Sequence, residues 1–175
     1  MKFFKFFFFI FIVLISYTNI LQADDRVSYI DIDYVLTNTI AGKKLLNALK
    51  KEEELKINKF KLDDKSFKNE ENKILAKKNL ISNEEINKEL KLLQAKFQKY
   101  KNEKIKQVDE LKIKRNRNII NFLNLINPII EKFMTDNSIY MLIDKKNVFI
   151  ASKDYDITDN LIKLIDIKIK TIEIK

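Results

Sequence analysis

The sequence predicts an α+β chain that is mostly α, with a long antiparallel helical hairpin set on a small β body and a C-terminal helix after it. Three observations predict this. The 175 residues include one Gly and one Pro, so turn chemistry is scarce and the elements must be long. Lys- and Glu-rich stretches with apolar residues at helical spacing fill the middle of the chain, and strand-like runs flank them on both sides.

The N-terminus stands apart from this plan. Lys2 and Lys5 precede an unbroken apolar run from Phe6 to Ile15, and a more polar stretch closes at Ala23. That is the order of a secretory signal peptide. A membrane-spanning helix needs about 20 apolar residues, and Ser16, Thr18, Asn19 and Gln22 interrupt too early. Residues 1–23 are therefore expected to be a cleaved signal peptide, with an uncleaved amphiphilic anchor as the alternative. The sequence contains no Cys, which excludes a lipoprotein anchor and any disulfide in the oxidising compartment that export implies.

From Arg26 to Asp33 the residues alternate: Ser28, Ile30 and Ile32 face one way, Val27 and Tyr29 the other with Asp31 and Asp33. A strand is expected there. Asp31 and Asp33 are assigned turn and capping roles rather than a catalytic pair. Thr37 to Gly42 reads as a short break. A stretch without Pro or Gly then runs to about Asn79, a helix of nearly 40 residues and roughly 60 Å at about 1.5 Å per residue. Its apolar residues, Leu45, Leu46, Leu49, Leu55, Phe60, Leu62 and Phe67, make a broken stripe that calls for a partner helix.

Ser82 with Glu85 three residues later forms a capping-box pattern, in which each side chain satisfies an orphan backbone N–H. A second helix is expected to start there. Ile86, Leu90, Leu93, Phe97 and Tyr100 follow at coiled-coil spacing; Lys104 and Gln107 interrupt the seam, Val108 and Leu111 resume it, and Ile119, Phe122, Ile126, Ile130 and Phe133 continue it after a second gap. One helix kinked at Pro128 accounts for the run. Ile139–Ile143 and Val148–Ala151, on either side of Asp144-Lys145-Lys146-Asn147, read as a β-hairpin in which Ile143 is buried. Asp156 is the expected N-cap of a closing helix through Leu161, Ile162, Leu164, Ile165 and Ile169, whose last β-branched run could also form a strand. The division is thus residues 24–42 and 128–175 as a β/α body and 43–127 as the arm. Three short strands leave open edges, so self-association is expected.

His and Cys are both absent, which removes the commonest general base, the thiolate nucleophile and the usual transition-metal ligands. With a single Gly, neither a phosphate-cradling loop nor a nucleophile elbow can be built. No catalytic residue, cofactor or metal is expected, and the chain is read as a non-enzyme.

Charge is unevenly spread. Between Lys43 and Arg117, 23 Lys/Arg stand against 13 Asp/Glu, a net +10, while the rest of the exported chain has 9 against 12, a net −3. A basic arm on an exported protein can steer acidic or partly unfolded clients and can touch anionic lipid headgroups. Export argues against nucleic acid as the partner. The candidate client contacts are Phe60, Phe67, Phe97 and Tyr100 on the arm with Lys73, Lys77 and Lys78 near its tip. The competing reading packs the aromatics inside the hairpin and leaves the lysines as a solvated face.

Three segments then carry a family resemblance. V-S-Y-I-D-I-D-Y-V-L with Ala41-Gly42-Lys43, the tip S-N-E-E at Ser82–Glu85, and Y-M-L-I-D-K-K-N-V-F-I-A-S-K-D-Y-D-I-T ending at Thr158 are similar to the Skp/OmpH family of periplasmic chaperones over residues 24–166. The resemblance implies that the β body trimerises and that three helical arms surround a cavity. It also implies an ATP-independent holdase for unfolded outer-membrane proteins, without cofactor, with lipopolysaccharide as a further candidate ligand. A structural coiled-coil adaptor or tether of the envelope is the alternative reading.

Overall fold

In the computed structural model, which describes residues 26–174, β1 (Arg26–Ile30) is shorter than the alternation predicts. Asp31 ends it. Its carboxylate accepts a hydrogen bond from the Tyr34 N–H at 2.9 Å and caps a helix, α1 (Ile32–Asn38), in place of the expected strand end. Asp33 lies in the first turn of α1, where a negative charge favours the helix dipole. The expected break over Thr37–Gly42 shrinks to Thr39. Its hydroxyl accepts from the Gly42 N–H at 3.2 Å and caps α2 (Ile40–Ala76), which therefore starts before Lys43. A side chain at Gly42 would fall on the carbonyl oxygen of Leu36, so the turn between α1 and α2 needs a residue without Cβ there.

A 3-10 turn over Lys77–Asn79 reverses the chain, and α3 (Asn83–Asp136) returns for 54 residues. The capping box forms as expected: the Glu85 N–H donates to Ser82 Oγ at 3.2 Å, and the Ser82 N–H donates to the Glu85 carboxylate at 3.0 Å. α3 runs through Pro128 without ending. Ser138, in the left-handed region at φ 53°, makes the exit turn.

β2 (Ile139–Asp144) pairs with β1 in parallel, with Val27 opposite Met141 and Tyr29 opposite Ile143. Parallel neighbours need a long crossover, and the arm is that crossover. The expected β-hairpin is not formed. Asp144 accepts from the Lys146 N–H at 3.2 Å and caps a 3-10 turn over Lys145–Asn147, so the chain leaves the sheet edge instead of folding back along it. The sequence has no Asn-Gly pair there to close a tight turn. Among the described residues the sheet has two strands, and Val148–Ala151 lies outside it with Phe149 fully exposed and Ile150 85% exposed. Ile143 is half-buried rather than buried; the strand reaches the core through Ile139 and Leu142.

α4 (Thr158–Lys168) begins one residue later than an Asp156 N-cap would give. Ile157 takes the cap position, and the Asp156 carboxylate accepts from the Thr158 N–H at 3.0 Å. The Thr158 hydroxyl accepts from the Asp31 N–H at 2.9 Å, and Asp166 accepts from the Ile40 N–H at 2.7 Å, which fixes α4 to both N-terminal helices. Among the described residues past Ile169 there is neither helix nor strand; Ile172 lies against the core. That core sits at the arm's root, where Leu45, Phe122, Ile126, Leu161, Ile165 and Val35 are fully buried. Among the described residues no helix is long and apolar enough to cross a membrane. The expected signal peptide lies outside the described residues.

Candidate functional site

Beyond Leu49 and Phe122 the two arm helices leave the body's core, and their contacts become a sparse mixture of apolar and polar ties. Lys114 pairs with Glu52 at 2.8 Å, and Lys56 donates to Gln107 Oε1 at 3.1 Å. Further out, Phe60 is buried, the Tyr100 hydroxyl donates to the Phe60 carbonyl at 3.1 Å, and Lys104 pairs with Asp64 at 2.8 Å. The Lys104 ammonium also lies over the rings of Phe60 and Tyr100, 5.4 and 5.6 Å from their centroids. Lys104 and Gln107 read as gaps in an apolar seam, yet they face the partner helix and tie it. The signal that reveals this is register: Asp64 and Lys104 meet only once the tip is placed between them.

The candidate aromatics divide. Phe60 is buried inside the hairpin. Phe67, Phe97 and Tyr100 form one cluster, with ring centroids 5.3 Å apart for Phe67–Phe97, 5.1 Å for Phe67–Tyr100 and 6.1 Å for Phe97–Tyr100. Phe67 and Tyr100 are half-buried and Phe97 is 38% exposed. The cluster borders a cleft of about 520 Å³ between the helices, walled by Phe67, Leu90, Leu93 and Phe97. The candidate lysines also divide. Lys73 and Lys78 are exposed near the tip, whereas Lys77 pairs with Glu89 across it at 2.9 Å. Leu80, at the tip itself, is 81% exposed.

Ionisation follows these contacts. The Lys104 ammonium, and then the Tyr100 hydroxyl, hold the Asp64 carboxyl below its ordinary 3.8. The Ser82 backbone N–H holds Glu85 below 4.5. Lys104 is raised above 10.5 by Asp64, and Tyr100 above 10.0 chiefly by burial. Stability contributed by the two carboxylates is present above their ordinary values and is lost as pH falls through the lowered ones. Stability linked to Lys104 and Tyr100 is present below their ordinary values and is lost as pH rises through the raised ones. With no His in the sequence, the melting temperature should be flat from about pH 5.5 to about pH 9 and fall on both sides. Circular dichroism melts across pH check this; a step near pH 6.5 would contradict it.

Among the described residues no group of His, Cys, Asp and Glu could hold a metal ion. The arm offers partly exposed aromatic rings, ammonium groups and length.

Comparison with known proteins agrees with the architecture. A family model described as Outer membrane protein (OmpH-like) matches residues 26–165. The chain is similar to a crystal structure from Caulobacter crescentus whose protein was assigned as an OmpH-like outer membrane chaperone. The two are 20% identical with a TM-score of 0.76, and the match covers 85% of this chain and 88% of that one. At that identity the likeness is one of fold. No curated protein matches the chain.

Proposed function

From the premise that this chain belongs to the OmpH-like outer membrane protein family, we propose that it is a periplasmic holdase. On this reading it is exported by a signal peptide cleaved after Ala23. It binds unfolded outer-membrane proteins without nucleotide and keeps them from aggregating on the way to the outer membrane. The observation that carries the proposal is the arm: a two-helix hairpin with an excess of 10 positive charges between Lys43 and Arg117 and aromatic rings left partly open along its side. Weak contacts repeated along several arms raise avidity without any tight single site, and enclosure keeps unpaired client strands apart.

Assembly belongs to the same proposal. Residues 24–42 and 128–175 act as the body and 43–127 as the arm of a homotrimer. In support, Tyr140 and Met141 on β2 are 74% and 55% exposed, and Phe149 and Ile150 stand clear of the chain beside them. Client contact falls to Phe67, Phe97 and Tyr100, with Lys73 and Lys78 steering the encounter.

The test is selectivity for the unfolded state. Fluorescence anisotropy should detect binding of a urea-diluted outer-membrane β-barrel protein and none of the same protein folded in detergent. Equal binding of both would favour an envelope adaptor and reject the holdase. Exposed charges act mainly on encounter and are screened over about 8 Å near physiological ionic strength. Reversing Lys73 and Lys78 to Glu should therefore slow association with an acidic client at low salt, by roughly threefold to tenfold, and leave dissociation nearly unchanged. Lys77 is left out because its reversal would also break the pair with Glu89. Stopped-flow rates identical to the parent's would remove steering from the account.

A further inference from the structure

The cleft beside Phe97 holds an apolar floor open to solvent. Phe67, Leu90, Leu93 and Phe97 form that floor. Its volume of about 520 Å³ lies within the range of ligand pockets, about 300–1,000 Å³. Phe67 and Phe97 meet edge to face at an interplanar angle of 65°. That geometry is the one in which aromatic rings extend an existing pair by offset or edge contact.

We infer that this cleft seats an aromatic side chain of an extended client segment that carries carboxylates beside the ring. The inference rests on the holdase reading and names the client chemistry. Charge selects the occupant. From Lys59 to Lys104 the arm has 13 Lys against 8 Asp/Glu, a net +5. On the cleft wall, Asp64 is already engaged by Lys104 at 2.8 Å, and Lys68 stands on the wall with Glu71. A second copy of the arm would bring the same positive excess and be repelled. An acidic segment is attracted, and its aromatic ring, once inside, is withdrawn from water.

The protein purified after export is titrated at low salt with three fluorescein-labelled peptides: one alternating Phe or Tyr with Asp, one with Ala in place of the aromatics, and one with Lys in place of Asp. The first should bind most tightly. Phe97→Ala should weaken it about tenfold, the loss of one aromatic contact, and leave the Ala peptide unchanged. Lys68→Glu, at an exposed position that tests the cleft without touching its floor, should weaken both acidic peptides and strengthen the Lys peptide. Equal affinity of the parent for the aromatic and Ala peptides, or an unchanged aromatic affinity in Phe97→Ala, would overturn the inference. If the peptides fail in this way while the parent still suppresses aggregation of an outer-membrane protein, the cleft is wrong and the holdase reading stands. If suppression also fails, that reading falls with it.

Discussion

Phe122→Ala should destabilise the protein by about 3–5 kcal/mol, the range for removing a large aromatic from a core that cannot collapse around the gap. Among the described residues Phe122 is the largest fully buried side chain, and it sits where the two arm helices enter the body. Leu45 and Ile126 are fully buried in the same cluster, as are Leu161 and Ile165 of α4. Three of the chain's helices thus share one core, and a cavity at Phe122 loosens the seating of the arm along with that core. For a chain of this size the shift in melting temperature should be about 6–20 °C, measured at one fixed protein concentration because assembly would add its own dependence. A shift below about 3 °C would mean that the arm's root is held by something other than this cluster.

Phe149→Asp with Ile150→Asp should convert the proposed trimer to single chains at micromolar concentration. In the isolated chain both side chains stand in solvent, Phe149 completely, a few residues after β2, whose outer edge pairs with no described strand. Burying each in an interface would be worth about 1.5–3 kcal/mol. Replacing both with carboxylates would remove that gain and add the cost of desolvating a charge at every repeat of a symmetric contact. The fold of each chain should survive, since neither residue contributes to the core. Sedimentation equilibrium should give about three subunit masses for the parent and one for the variant. Three masses for both would place the contact elsewhere, and one for both would end the trimer proposal.

What the sequence reveals is what short range decides. The capping box at Ser82 and Glu85 is legible because three residues contain the whole arrangement, and the long helices because Pro and Gly are almost missing from them. α1 is hidden because V-S-Y-I-D-I-D fits a strand. The choice between strand and helix rests on Asp31, whose N–H meets Thr158 at a separation of 127 residues. The β-hairpin expected across Asp144–Asn147 fails because Asp144 finds its bond partner in the next turn and β2 finds its strand partner more than 100 residues earlier. At the candidate site, the nearness of Phe97 to Tyr100 follows from helical spacing, but the place of Phe67 beside them and the inward roles of Lys104 and Gln107 do not. A lysine on a seam looks like an interruption until the hairpin brings Asp64 opposite it.

Holding of unfolded outer-membrane proteins, the proposed function, is read out by light scattering. An outer-membrane β-barrel protein is diluted from urea into buffer without nucleotide, with and without an excess of the protein purified after export. Scattering should stay near baseline when the protein is present, and the client should remain soluble. Scattering that rises equally in both samples would contradict that function.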